Sequence, residues 1–291
     1  MGAFIALLAG ALAIATAGIF VRLSETGPTA TAFWRGALAV PCLLAWAVVE
    51  RRATRTAEAA PAARLWDRGF LLAGFFFAGD LALWHWSLML TSVAASTLEA
   101  NLAPVVVTVL AWLVYRERPR PLFLASLGLA LLGVLAIVSP KLGAGGGELL
   151  GDLLGLATAC FYASYLLVVA RLRARFGTGI LMLQTTLVFS VLLLPLALSE
   201  TFLPQTAEGW AVLFGLAFVA QCLGQGLIAY ALAHLPATAG SVGLCLQPVV
   251  TAWYAWVLLG ERLEPVQMLG GVVVLVAIAR ARASITSPAR Q

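Results

Sequence analysis

The sequence predicts an all-α membrane protein: ten transmembrane helices built as two inverted five-helix repeats. Three observations predict it. Apolar residues make up 62% of the chain and charged residues only 11%, where soluble domains carry about a quarter charged. A block of sequence occurs twice at a fixed spacing. The basic residues are sorted to one side of the apolar runs.

The apolar runs span 2–21, 31–49, 69–90, 93–115, 121–139, 149–170, 179–199, 209–233, 237–259 and 265–280. Each has roughly the 20 residues that a helix needs to cross a bilayer. Backbone polar groups in lipid must be bonded internally, so such runs become helices. The alternation of barrel strands is absent. The first run has no charged segment before it and no convincing cleavage site, so it is expected to be a retained span rather than a signal peptide. The four cysteines, Cys42, Cys160, Cys222 and Cys245, fall inside apolar runs with no metal-ligand spacing. Core packing is their expected role.

The recurring block is Asn101–Pro121, NLAPVVVTVLAWLVYRERPRP, matched by Cys245–Pro265, CLQPVVTAWYAWVLLGERLEP. Pro104, Trp112, Glu117, Arg118 and Pro121 recur without a gap as Pro248, Trp256, Glu261, Arg262 and Pro265. A repeat of this length indicates duplication of half a protein. The expected units are 1–142 and 143–291. The Gly-rich stretch 143–147 reads as a connector, since no Lys-Ser/Thr follows it and no strand precedes it.

Orientation follows from Arg and Lys. With the N-terminus in the cytoplasm, fourteen of the eighteen basic residues fall in cytoplasmic segments, within 51–68, 116–120, 171–175 and 280–290. Three fall outside: Arg22, Lys141 and Arg262. This is the positive-inside pattern, with both termini cytoplasmic. It also disposes of nucleic acid as the reason for the net charge of +5. Five spans per half insert the second half upside down, the architecture of many secondary transporters.

Ionisable residues at membrane depth are costly and face protein or water. Asp80, Trp84 and Ser87 share one face of the third span, with His85 beside them. Glu99 shares a stripe with Ser92 and Ser96 on the fourth, and Asn101 follows. Pro104 then removes the backbone bond to the Ala100 carbonyl and can kink the helix. Pro248 is its inverted counterpart, with Gln247 adjacent. The sixth span offers Thr158, Phe161, Tyr162 and Tyr165. The eighth offers Gln221 and Gln225, four residues apart, and Tyr230. Amides and rings with few fixed charges suit a neutral or zwitterionic organic solute, and the carboxylates can meet an ammonium or hold a proton.

The substrate-binding candidates are therefore Asp80, Trp84, His85, Glu99, Asn101, Phe161, Tyr162, Gln225, Tyr230 and Gln247. Pro104 and Pro248 are the candidate hinges. Each has a structural alternative. Aromatic residues in membrane helices also serve as lipid contacts, and Asp80 can simply partner Arg35 or His85. Arg35 is expected to be structural or near the interface, its stem buried and its head snorkelling to water. Glu117 and Glu261, beside Arg at helix ends, are expected to make locking contacts. The motifs HExxH and GxSxG and a paired-aspartate metal motif are absent, so an intramembrane enzyme is the weaker reading and no cofactor is implied.

Phe33-Trp34-Arg35, Tyr230-Ala231-Leu232 and the doubled ending Pro104–Pro121 and Pro248–Pro265 resemble the ten-helix EamA-type exporters of the drug/metabolite transporter superfamily. Arg116 stands where that ending usually has glycine, as at Gly260. Trp84-His85 and Phe161-Tyr162 resemble the aromatic amino acid exporters of the bacterial inner membrane. The resemblance implies a cavity lined by both halves and export of an amino acid or similar metabolite. Membrane lipid is the surrounding partner. Proton coupling, through Asp80, His85 or Glu99, and passive flow remain alternatives.

Overall fold

The computed structural model describes residues 2–54, 67–91, 93–116, 119–139, 149–259 and 264–286. Glu117, Glu261, Ser92 and the 143–147 connector lie outside them. The described residues fold into helices that line up end to end as ten spans. Span 1 is α1 (Gly2–Ile14) and α2 (Ala17–Leu23). Span 2 is α3 (Pro28–Ala37) and α4 (Val40–Thr54), and span 3 is α5 (Arg68–Leu90). Span 4 is α6 (Val93–Ala100) and α7 (Ala103–Tyr115), and span 5 is α8 (Pro121–Val138). Spans 6 and 7 are α9 (Leu149–Arg173) and α10 (Thr178–Ala197). Span 8 comprises α11 (Ala207–Gly215), a π-helix (Leu216–Gln225) and α12 (Gly226–Ala231). Span 9 is α13 (Ala237–Leu244) and α14 (Leu246–Leu259), and span 10 is α15 (Pro265–Thr286). By length and composition seven of these are apolar enough to cross a membrane, and 98–114 and 265–281 are shorter apolar helices.

Three of the breaks have one cause. A proline cannot donate to the carbonyl four residues earlier, and its ring clashes there. Pro41, Pro104 and Pro248 each release that carbonyl, at Ala37, Ala100 and Leu244, which are the last residues of α3, α6 and α13. Pro104 and Pro248 thus sit in the first turns of α7 and α14, and the expected kink is a full interruption of the helix. Pro41 does the same in span 2, where the sequence reading did not single it out. In span 1 the Thr16 hydroxyl donates to the Ala13 carbonyl at 2.7 Å, which replaces a backbone partner at the break. Spans 3, 6 and 7 are single helices throughout.

Packing joins the two halves closely. Spans 3 and 6 run along one another, as do spans 1 and 8. Spans 2 and 7 form a pair, and so do spans 5 and 10. Exchanging each span with the one five places on maps these principal pairs onto one another. Trp112 and Trp256, equivalent in the repeat, are equally exposed at 52%. In the 5–10 pair Gly133 meets the Gly270 carbonyl and Val274, while the Gln267 amide donates to the Ile137 carbonyl at 3.0 Å. The helices are therefore antiparallel, brought close by small residues as membrane helices require. Outward faces carry exposed Leu132, Leu196 and Leu269, a surface suited to lipid. The four cysteines are unpaired; Cys222 and Cys245 are buried as expected, whereas Cys160 is exposed.

Candidate functional site

Five spans from both halves meet near mid-depth around Arg35. The C-terminal turn of α3 buries this residue to 2% exposure. Of the two expected positions, structural or snorkelling at the interface, Arg35 takes the first: it points into protein, where protein groups receive it. Its Nε donates to Gln221 Oε1 at 3.1 Å, and Gln221 Nε2 donates to Thr186 Oγ1 at 3.1 Å. The guanidinium lies 5.6 Å from the centre of the Phe77 ring. Asp80, one turn beyond Phe77 on α5, is buried and is the acid whose charge favours Arg35 as a cation. Opposite charges at low local dielectric attract strongly, which offsets part of the cost of burying each.

The aromatic wall comes from α5 and α9. Tyr165 stacks on Phe77 at 4.4 Å, and Tyr162 stacks beside Tyr165 at 6.0 Å. Gln225, one turn beyond Gln221, lies next to Tyr162. The π-helix supplies both amides and keeps them buried. Wide turns of this kind recur at functional sites. Three polar atoms of this group, Tyr162 OH, Tyr165 OH and Gln225 Oε1, are shielded and have no hydrogen-bond partner among the described residues. Leaving such an atom unpaired costs about 1–3 kcal/mol, so a bond to any of the three would be favourable.

Of the residues expected from sequence, Asp80, Tyr162 and Gln225 come together here. Phe161 instead covers Gly79 and packs on Phe75 and Phe76, in the seam between α5 and α9. His85 bonds the Pro28 carbonyl through Nδ1 at 2.9 Å and so ties α5 to the start of α3; its Nε2 has no partner among the described residues. Trp84 packs beside the Ala17, Val21, Leu216 and Ala220 cluster. Glu99 lies against Gly155 with Asp152 as its charged neighbour. Asn101 occupies the break between α6 and α7, and Gln247 is half-buried beside Pro248. Tyr230 is exposed and packs on the His234 ring at 5.0 Å, at the end of span 8 and apart from the central group. Sequence reasoning left Arg35, Phe77, Tyr165, Gln221 and Thr186 out of the site. Arg35 carried a usable signal: it is the one basic residue within an expected span.

A bundle of membrane-crossing helices that gathers polar and aromatic groups at mid-depth is a transporter's construction rather than an enzyme's. The chain belongs to the EamA-like transporter family, whose sequence pattern matches residues 1–139 and 149–281. It is 26% identical over 208 residues to the pseudopaline exporter CntI of Pseudomonas aeruginosa, covering 71% of this chain and 72% of that one. An uncharacterized transporter of Archaeoglobus fulgidus is 25% identical over 270 residues, covering 89% and 90%. A solved crystal structure superposes with a TM-score of 0.78 at 16% identity, covering 98% of this chain and 99% of that one, a likeness of fold.

Proposed function

We propose that this transporter exports a small zwitterionic metabolite, an amino acid with a large apolar side chain being the best fit, by alternating access. The observation that carries the reading is the joint burial of Arg35 and Asp80 beside the hydroxyls of Tyr162 and Tyr165 and the Gln225 carbonyl oxygen, which have no hydrogen-bond partner among the described residues. An amino acid brings one positive and one negative group, matching Asp80 and Arg35. The rings of Phe77 and Tyr165 offer a flat apolar wall to its side chain. Few fixed charges mean weak, polyspecific binding, which suits a carrier that must release its load.

The two units, 1–142 and 143–291, are proposed to be inverted copies. The repeated block, the family pattern's two segments and the exchange of packed pairs support this. The sidedness of Arg and Lys supports cytoplasmic termini and residence in a bacterial inner membrane. The name of the Pseudomonas aeruginosa relative favours export, and it keeps a different metabolite class as the second reading.

Counterflow in proteoliposomes tests both readings. Unlabelled Trp, Phe, Tyr, Met and Thr compete with pseudopaline, Asp, Glu and nucleotide sugars. Neutral amino acids are expected to compete best. Strongest competition by pseudopaline transfers the assignment to the second reading, and strongest competition by the acidic solutes or nucleotide sugars removes the amino acid reading.

A further inference from the structure

A second polar group lies between spans 4 and 6, outside the Arg35 layer. Two glycines one turn apart on α9 let α6 lie directly on it. Gly151 abuts Leu90 and Thr91, and Gly155 is covered by the Glu99 side chain, where a Cβ would collide with the carboxylate. Because 91 pairs with 151 and 99 with 155, the helices run parallel. Asp152 lies three residues before Gly155, and its Oδ1 accepts a 2.7 Å bond from the Thr91 hydroxyl. Ser96 lies three residues before Glu99 on the same stripe of α6. It is fully buried and its hydroxyl has no partner among the described residues. Glu99 Oε2 is likewise shielded and without a hydrogen-bond partner among the described residues.

Among the described residues, no cation compensates this pair. Asp152 is the charged group that acts on Glu99. Among the helices packed on α6 and α9, α8, α10 and α13 contain no acidic or basic residue, and α7 carries only Tyr115 at its far end. On α5 the inward acid is Asp80, paired with Arg35, and His85 is held by Pro28. On α9 itself, Tyr162 and Tyr165 face the Arg35 layer, and Arg171 and Arg173 lie at the opposite end. On α12, Tyr230 is near Arg173. Two carboxylates that share a site cannot both stay ionised cheaply.

We propose that Glu99 and Asp152 share one exchangeable proton, and that this pair, not the substrate layer, is the coupling site of the carrier. With the proton present, one carboxyl donates to the other and α6 stays on α9. When the proton leaves, two like charges face each other and span 4 is pushed from span 6. One proton is bound from one side and one released to the other per cycle, with no other bond made or broken. The 144-residue offset places Gly243 opposite Glu99, and Gly243 meets Leu7 instead of an acid. The coupling chemistry is therefore confined to one of the two equivalent places.

The coupling role rests on the transporter reading; the shared proton does not, and the test separates them. Difference infrared spectra of the purified full-length protein are recorded across pH. A protonated-carboxyl band is expected to disappear as pH rises and to be lost in both Glu99→Gln and Asp152→Asn. A band unchanged in both variants overturns the shared proton. A band removed at constant pH by sodium chloride, and not by choline chloride, replaces the proton with a metal cation and also overturns it. Variants are first checked for monodispersity, and Glu99→Asp, which keeps the carboxyl, is expected to restore the band. In proteoliposomes, a pH gradient of one unit should shift wild-type solute distribution by up to about tenfold at one-to-one coupling. Counterflow should persist in Glu99→Gln while that shift is lost. Wild-type counterflow with no effect of the gradient overturns the coupling role alone. Absence of any solute flux overturns the transporter reading and, with it, the coupling role, while the infrared result still decides the shared proton.

Discussion

Glu50 and Glu200 make the same contact at opposite ends of one antiparallel helix pair. Glu50, near the end of span 2, accepts from the backbone N–H groups of Thr178 and Gly179 at 2.8 and 2.7 Å. Glu200, just past the end of span 7, accepts from those of Thr29 and Ala30 at 2.8 and 3.0 Å. Each carboxylate thus caps the N-terminus of the other's helix, where the first N–H groups lack partners and the dipole favours negative charge. Gly27 and Gly177 precede the two capped helices, and a Cβ at either would strike the capping carboxylate.

Removing one clasp should therefore loosen one end of the molecule. Glu50→Gln and Glu200→Gln are each expected to cost about 1.5–3 kcal/mol, the range for hydrogen bonds to charged groups. Thermal unfolding in detergent measures the loss. Labelling of a single cysteine near each end should rise only at the end whose clasp was removed, and equal rises at both ends contradict the arrangement.

Arg35→Met should be strongly destabilising, because Arg35 is buried among protein groups. It strands buried Asp80 and frees the Gln221 carbonyl oxygen, and breaking a buried pair typically costs about 3–5 kcal/mol. The double variant Arg35→Met with Asp80→Asn should recover most of the folded yield yet not solute counterflow. Recovery of counterflow would show the pair to be structural only.

Replacing Pro104 or Pro248 by Ala restores an N–H four residues after Ala100 or Leu244 and should fuse the interrupted helices. Exchange rate is expected to fall by more than affinity. Counterflow rate and substrate affinity, measured together, check this, and unchanged rates in both variants reduce the prolines to packing residues.

Glu25 offers a pH effect outside the membrane. The Thr206 hydroxyl, and the N–H groups of Gln205 and Thr206, donate to its carboxylate and hold its pKa below the ordinary 4.5. A lowered pKa in the folded state means that the contact stabilises above the ordinary value and is lost as pH falls through the folded one. The melting temperature of Glu25→Gln should lie below wild type at neutral pH and converge with it in acid.

The helices were legible because length and apolarity alone dictate a bilayer-crossing helix. The proline interruptions were legible at Pro104 and Pro248, where the repeat drew notice, and not at Pro41, whose counterpart in span 7 is no proline. Asp80, Tyr162 and Gln225 stood out as polar residues in apolar runs. Sequence leaves Arg35 open between a structural and an interfacial role, because a snorkelling and a fully buried arginine have the same local sequence; only the approach of Gln221, 186 positions away, separates them. Asp152 escaped notice because it lies at a helix start, where an acid usually just caps. Its tie to Glu99 depends on two glycines whose partners sequence does not name.

The helix breaks are shared out unequally between the two halves. Spans 1, 2 and 8 are interrupted or wound as a π-helix, while spans 6, 7 and 3, which take their places under exchange of the halves, run unbroken. A carrier of two identical halves would spend equal time open to either side. Here compliance is concentrated on one flank and stiffness on the other, so the two open forms are not mirror images and differ in free energy. Under the alternating access proposed above, such a carrier is expected to have a resting side before any gradient or solute acts on it.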